Sequence, residues 1–200
     1  IRAFGKGYDE FYEQAKAMGV NFVKGRVAKI EETTDGDLLV NTGFLGNGQR
    51  NRALFAPHRT GPLRRIIVTQ AHPDHYGALP EQLEDGTQVI AGAGFTATCD
   101  YFEELGPFLN RRSGKLWASL TRRDGPPPKP PKVVPDIPVT DRHAFEQGGR
   151  HFVVVKTPGG ETLCSVFVWL PDDRIVFTGN LCGPVWRAMP APKRGEILYA

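Results

Sequence analysis

The spacing of apolar positions changes several times along the chain, and each change predicts an element. Between Tyr8 and Met18 the spacing is helical: Phe11, Ala15 and Met18 fall at i, i+4 and i+7, Tyr8 and Tyr12 adjoin them, and Gly19 supplies a stop. From Val20 to Ile30 the residues Phe22, Val23, Val27 and Ile30 alternate in part, as in a strand. Asp35-Gly36 then marks a turn and Leu38 to Val40 begins another strand, which predicts a hairpin. A glycine-rich turn, Asn41 to Gly48, leads to a short helix over Arg50 to Phe55. Ile66 to Val68 is a β-branched run and reads as a buried strand. Leu79 to Leu83 predicts a helix and Val89 to Ala91 a strand. Phe95 to Leu105 and Pro107 to Leu120 predict two helical pieces, separated where Gly106-Pro107 interrupts the pattern.

The second part of the chain is patterned differently. Residues 125–135 are rich in proline, which suits neither a helix interior nor a central strand, and predict an extended connector dividing the chain in two. Beyond it the chain is β-rich. Ala144 to Gly149 ends in a Gly-Gly turn, and His151 to Lys156, Ser165 to Leu170 and Ile175 to Thr178 predict strands that each end in a polar loop.

Composition narrows the function classes. Of the 200 residues 40% are hydrophobic, enough for a core, and 24% are charged with a net charge of +3. That basicity is spread too thinly to predict a nucleic-acid partner, and no stretch is long and apolar enough to span a membrane. Three cysteines, Cys99, Cys164 and Cys182, lack any CxxC spacing and predict reduced thiols rather than a disulfide framework. With no signal peptide visible, the expected location is cytoplasmic and the expected partner a small-molecule substrate. Oligomeric state leaves no trace in the pattern.

Chemistry gathers where the strand at Ile66 ends. Gln70-Ala71-His72-Pro73-Asp74-His75-Tyr76-Gly77 sets two imidazoles and a carboxylate within four residues, stiffened by Pro73. Imidazole and carboxylate at such short range form a metal-ligand pattern. His58, His143 and His151 have no such company and read as surface or structural residues.

This stretch resembles the first motif of the metallo-β-lactamase superfamily, usually His-x-His-x-Asp-His-x-Gly at a strand end. Thr157-Pro158-Gly159-Gly160-Glu161-Thr162 resembles that family's second ligand loop, and Phe177-Thr178-Gly179-Asn180 the strand that normally ends in a bridging aspartate. The Thr-Pro-Gly-x-Glu form of the second loop is similar to the alkyl-sulfatase branch. The resemblance implies an α/β fold, the four-layer αβ/βα sandwich, truncated at its C-terminus because the family expects a later histidine and none follows His151. The expected organisation is an appendage over residues 1–38 and the sandwich over residues 39–200. The resemblance also implies a metal site of one or two ions, Zn²⁺ first and Fe or Mn as alternatives. Gln70, His72 and Glu161 would serve one ion, Asp74 and His75 the other, and Asn180 would take the bridging position. The implied activity is hydrolysis of an ester-like bond (sulfate ester, thioester, phosphoester or lactone) by a hydroxide formed at the metal, with Asp74 orienting it as general base.

Gln70 and Asn180 depart from the family pattern. A neutral amide oxygen is a poorer zinc ligand than imidazole, and an amide at position 180 removes a bridging charge. A catalytically impaired metal-binding relative, or a fragment without turnover, is therefore the alternative expectation. Separately, Tyr8 to about Glu32 resembles a piece of the flavoprotein subunit of heterodisulfide reductases. The piece carries no dinucleotide fingerprint, and a redox module is the third expectation.

Overall fold

The computed structural model describes residues 36–121, 129–157 and 159–180, apart from the side chains of residue 113 and residues 115–121. The expected helix over Tyr8 to Met18, the strand over Val20 to Ile30 and Cys182 lie outside the described residues.

Four parallel strands form the first sheet: β1 (Asp37–Val40), β2 (Leu63–Val68), β3 (Gln88–Gly92) and β4 (Ile137–Val139), in the order β1-β2-β3-β4. Parallel neighbours need crossovers, and helices supply them. α1 (Gly48–Phe55) lies between β1 and β2. α2 (Pro73–Tyr76) and α3 (Leu79–Gln82) lie between β2 and β3, and α4 (Phe95–Thr121) between β3 and β4. Four antiparallel strands form the second sheet: β5 (Arg142–Gln147), β6 (Arg150–Lys156), β7 (Val166–Leu170) and β8 (Ile175–Phe177).

The central strands β2 and β3 are buried on both faces over Ile66 to Val68 and Val89 to Ala91, which explains why these stretches read as apolar runs. Ile66, Val68, Val89 and Ala91 point to one side and pack with Tyr76, Leu79 and Phe95 from the helices. Ile67, Ile90 and Val139 point to the other and pack with Phe152, Val154, Val166, Val168 and Leu170 of the second sheet. The described residues therefore supply a helix layer and two stacked sheets, and no helix follows Val139 among them.

Two expectations need correction. The Gly106-Pro107 step does not split a helix, because α4 runs through Pro107. A proline removes one helical hydrogen bond and leaves its neighbours in place. Phe95, Cys99 and Phe102, packed against the core, hold the turns before it. The proline-rich connector does not divide the sheets either. Val133 within it is buried, and β4 just after it returns to the first sheet beside β3. The change of sheet falls between Val139 and Arg142. β1 itself pairs in parallel with β2, and the other arm of the expected hairpin lies outside the described residues. The Gly-Gly turn stands as read: Gly148 and Gly149 have φ of 61° and 68° in the link from β5 to β6, where side chains are disfavoured.

Candidate metal centre

The site lies at the carboxyl ends of the first sheet's strands, where parallel sheets commonly present ligands. β2 ends at Val68, and Thr69, Gln70 and Ala71 continue inward, each buried to about 1% exposure. His72 keeps extended backbone and Pro73 opens the single turn of α2, so Asp74 and His75 follow on one turn. The His75 N–H donates to the carbonyl of His72 at 2.9 Å, closing that turn. The glycine-rich loop after β1 braces it. Thr42 N–H donates to the His75 carbonyl, and Ala78 N–H to the Gly43 carbonyl. Gly77 is required by contact rather than conformation, since a Cβ there would lie 2.5 Å from Leu45 N and Pro73 O. The glycine-rich loop is thus a brace for the site turn, in line with its reading as a turn.

The second sheet reaches the same point. Val166 N–H, at the start of β7, donates to the Thr69 carbonyl at 2.8 Å. Gly92 lies so close to this junction that a Cβ would meet the Cys164 carbonyl at 2.1 Å. The loop before β7 presents Glu161, and the segment after β8 presents Asn180.

The six residues singled out in the sequence converge. Gln70 Nε2 donates to Glu161 Oε2 at 2.6 Å and contacts His75 Nε2 at 3.0 Å. Asn180 Nδ2 donates to the same Glu161 oxygen at 2.6 Å. His72 Nδ1 stands 3.6 Å from Glu161 Oε2, and His75 Nε2 stands 3.5 Å from Asp74 Oδ2. His75 is buried, while Asp74 and Glu161 keep about two-fifths of their side chains in solvent, at 42% and 43%. The cluster therefore has a buried base and a solvent-exposed rim.

Hydrogen bonding determines the state of His75. Asn41 Oδ1 accepts from Thr69 N–H at 2.9 Å and from the Thr69 hydroxyl at 3.1 Å. With its hydrogen committed there, Thr69 Oγ1 can only accept from His75 Nδ1, 3.0 Å away. His75 thus carries its proton on Nδ1 and turns the lone pair of Nε2 toward Gln70. Burial lowers the His75 pKa, with nearby His72 adding to the effect and the Asp74 and Glu161 charges opposing it. Glu161 is held down to about 2, first by His72 and then by the amides of Asn180 and Gln70, against the opposing effect of burial. At 3.6 Å the His72 contribution is an attraction between ring and carboxylate rather than a short hydrogen bond.

Sequence reasoning missed Asn41 and Thr69, which orient His75, and Phe102, whose ring packs 4.8 Å from that of His72. Neither Asn41 nor Thr69 has a sequence signal of that role; in the structure Asn41 stands at φ 60°, a left-handed conformation in which asparagine is favoured. Gly179 also matters, at φ 56° and so near Thr69 that a Cβ would lie 2.8 Å from its hydroxyl oxygen. Tyr76 is a core residue, 3% exposed and packed edge-on against Phe95. His58 is exposed, His143 packs beside Phe145, and His151 pairs with Asp172 at 2.7 Å, so none joins the site. Cys99 and Cys164 are free thiols, and Cys164 is buried in the core.

Comparison with known proteins decides the family. The profile of the metallo-beta-lactamase superfamily matches residues 30–181. The chain belongs to this superfamily. Among solved structures, a double mutant of the sec-alkyl sulfatase PisA1 superposes with a TM-score of 0.61 at 16% identity, covering 74% of this chain and 27% of that one. The stereoselective inverting sec-alkylsulfatase Pisa1 from Pseudomonas sp. gives 0.58 at 16% identity, covering 72% and 26%. A metallo-β-lactamase from Cronobacter sakazakii gives 0.50 at 21% identity, covering 72% and 51%. The chain thus spans about a quarter of the alkyl sulfatases and half of the Cronobacter enzyme. At these identities the superfamily likeness shows the fold. A curated relative, an iron-sulfur subunit of the CoB–CoM heterodisulfide reductase of Methanopyrus kandleri, is 61% identical over 33 residues, which are 16% of this chain and 5% of that protein. Among the described residues no helix is long and apolar enough to cross a membrane.

Superfamily members usually hold divalent metal, and the donor set can be measured against that chemistry. Tetrahedral zinc with bonds of about 2.0–2.2 Å places neighbouring ligand atoms roughly 3.4 Å apart. His72 with Glu161, at 3.6 Å, and Asp74 with His75, at 3.5 Å, each match one such edge. The lone pair on His75 Nε2 also faces the right way. Among the described residues, however, no three His, Cys, Asp or Glu side chains form a ready metal-holding group. The fit is thus two ligand pairs with amides between them.

Proposed function

We propose that this chain is a metal-dependent hydrolase acting on an ester-like bond of a small molecule: a sulfate ester, thioester, phosphoester or lactone. His72, Asp74, His75 and Glu161 would hold a divalent ion, zinc in the first place and iron or manganese as alternatives, with Gln70 and Asn180 beside it. Bound there, such an ion lowers the pKa of water to about 7 and polarises the bond under attack. The observation that carries this reading is the meeting at Glu161 of side chains from three separate segments, with Gln70 lying 91 residues and Asn180 19 residues away along the chain.

The chain's own groups have distinct tasks in this reading. His75 is locked by Thr69 and Asn41 in the one tautomer whose Nε2 can ligate. Glu161 stays ionised throughout the neutral range and supplies negative charge. Asp74, on the open rim, is the group able to orient a water molecule and take its proton. His72, propped by Phe102, faces Glu161 across the pocket. The alkyl sulfatases among the structural relatives favour a sulfate ester first within the substrate class, and the location expected from the sequence is the cytoplasm.

The test joins metal analysis to a substrate panel. Purified protein should retain zinc, iron or manganese and hydrolyse at least one of an aryl or alkyl sulfate, a thioester, a phosphodiester and a lactone. His72→Ala should lower both metal content and kcat/KM, the latter by about 10²-fold or more. Protein that takes up no metal and hydrolyses none of the panel sinks the reading. One observation favours the alternative, a metal-binding relative without turnover. Both amides point nitrogen, not oxygen, at Glu161, so the donors that interrupt the family's ligand set also satisfy its carboxylate.

A further inference from the structure

The amide of Gln70 spans both ligand pairs. A carboxylate only accepts hydrogen bonds, so the atom 2.6 Å from Glu161 Oε2 is the amide nitrogen. Its second hydrogen meets the lone pair of His75 Nε2 at 3.0 Å. One nitrogen therefore occupies the inward-facing donor atom of each pair. Its two hydrogens supply the positive edge that a cation would otherwise give.

The opposite end of the same amide is unsatisfied. Gln70 is 1% exposed, and its Oε1 is buried with no hydrogen-bond partner among the described residues. A buried carbonyl left without a partner is costly, because it has given up its hydrogen bonds to water. Turning the amide over would bring Oε1 inward against the Glu161 carboxylate and the His75 lone pair, an arrangement of three acceptors. Only a cation among them makes that arrangement favourable. The charge of the site limits how many cations can enter. Asp74 and Glu161 are the carboxylates that the described residues bring to the cluster, and together they neutralise one divalent ion. A second would leave a double positive charge uncompensated in a partly buried pocket.

We propose that Gln70 is an amide switch that admits a single divalent cation: nitrogen inward, it bridges His75 and Glu161 without metal; oxygen inward, it ligates the ion between them. The switch rests on the metal-binding half of the function proposed above and not on turnover. Asn180 is its companion, since its amide leaves Glu161 Oε2 as the ion arrives.

Zinc titration of the whole chain after stripping with chelator, followed by calorimetry and by metal analysis after desalting, tests the stoichiometry. One zinc per chain is expected for the native sequence. Asn180→Asp adds a carboxylate at an exposed position, where the fold tolerates it, and should raise the uptake to two. Gln70→His combined with Asn180→Asp should do the same. Side-chain amide NMR reads the switch itself: the Gln70 NH2 resonances should shift and lose their hydrogen-bonded character as zinc is added. Two zinc ions per native chain overturn the proposal, as do Gln70 resonances unmoved at zinc saturation. One zinc with a moving Gln70 but no hydrolysis of any ester supports the switch and removes the hydrolase reading. Failure of the native chain and both variants to take up zinc removes both.

Discussion

Thr69 is spent entirely on orientation. Its hydroxyl gives its hydrogen to Asn41 and receives that of His75 Nδ1, so a residue with no ligand role determines which histidine nitrogen faces the pocket. Thr69→Val keeps the shape and removes the acceptor. Metal affinity should fall about 10–100-fold, read by competition with a chromophoric chelator, while the fold persists. At this scale the sequence was informative in a particular way. His72, Asp74 and His75 were legible because they are neighbours in the chain and share one turn. Glu161 and Asn180 were legible only through the family loops around them, since neither stands in a ligand cluster of its own. Asn41 and Thr69 carry no such mark. They act through a contact spanning 28 residues, and an asparagine and a threonine near strand ends have many commoner uses.

Elements are joined by a second polar hub, away from the candidate metal centre. Glu84, just beyond α3, binds Arg52 of α1 at 3.0 Å, Arg59 with both carboxylate oxygens, and the Leu63 N–H that opens β2 at 2.8 Å. Arg59 first, then the Leu63 amide and Arg52, hold its carboxyl down to about 2, against burial. A carboxyl with a lowered folded-state pKa stabilises fully above its unfolded pKa, near 4.5, and loses that contribution as pH falls toward 2. Glu84→Gln should therefore lower thermal stability at pH 7 by on the order of 1–3 kcal/mol, with the difference from the native protein closing between pH 4.5 and 2. A pH series of thermal melts reads this directly. Element boundaries were legible where period and punctuation agreed, as at the Gly-Gly turn. They failed where tertiary packing outweighed local preference, as at Pro107. β4 was missed because its sequence, Ile-Pro-Val, is too short to show a period and contains a proline, tolerated there at the open edge of the four-stranded sheet.

Across the whole molecule one apolar layer unites the two sheets. Ile67 and Ile90 of the first and Val154 and Val168 of the second are each 0% exposed, and they pack in one cluster. Arg65 adds a polar tie, donating to Gln147 at 2.7 Å while its guanidinium lies 4.6 Å from the centre of the Phe145 ring. Ile67→Ala should cost about 2–5 kcal/mol, the range for removing a large side chain from a layer with no room to collapse, and chemical denaturation measures it. The succession of helices and strands was readable from the periods, and the α/β sandwich they build only from the resemblance to the superfamily. The pairing of a parallel sheet with an antiparallel one was not, because strand direction depends on partners distant in sequence.

The contact between Gln70 and Glu161, 91 residues apart, also bears on how the chain acquires its site. Closing so long a loop is entropically expensive, and such contacts form late, after local turns and neighbouring strands are in place. The turn from His72 to His75 is local and carries His72, Asp74 and His75, yet it meets Glu161 only when the second sheet docks. In the proposed reading, metal capture would follow this docking, since a nascent chain that has not yet delivered Glu161 presents its histidines without that carboxylate.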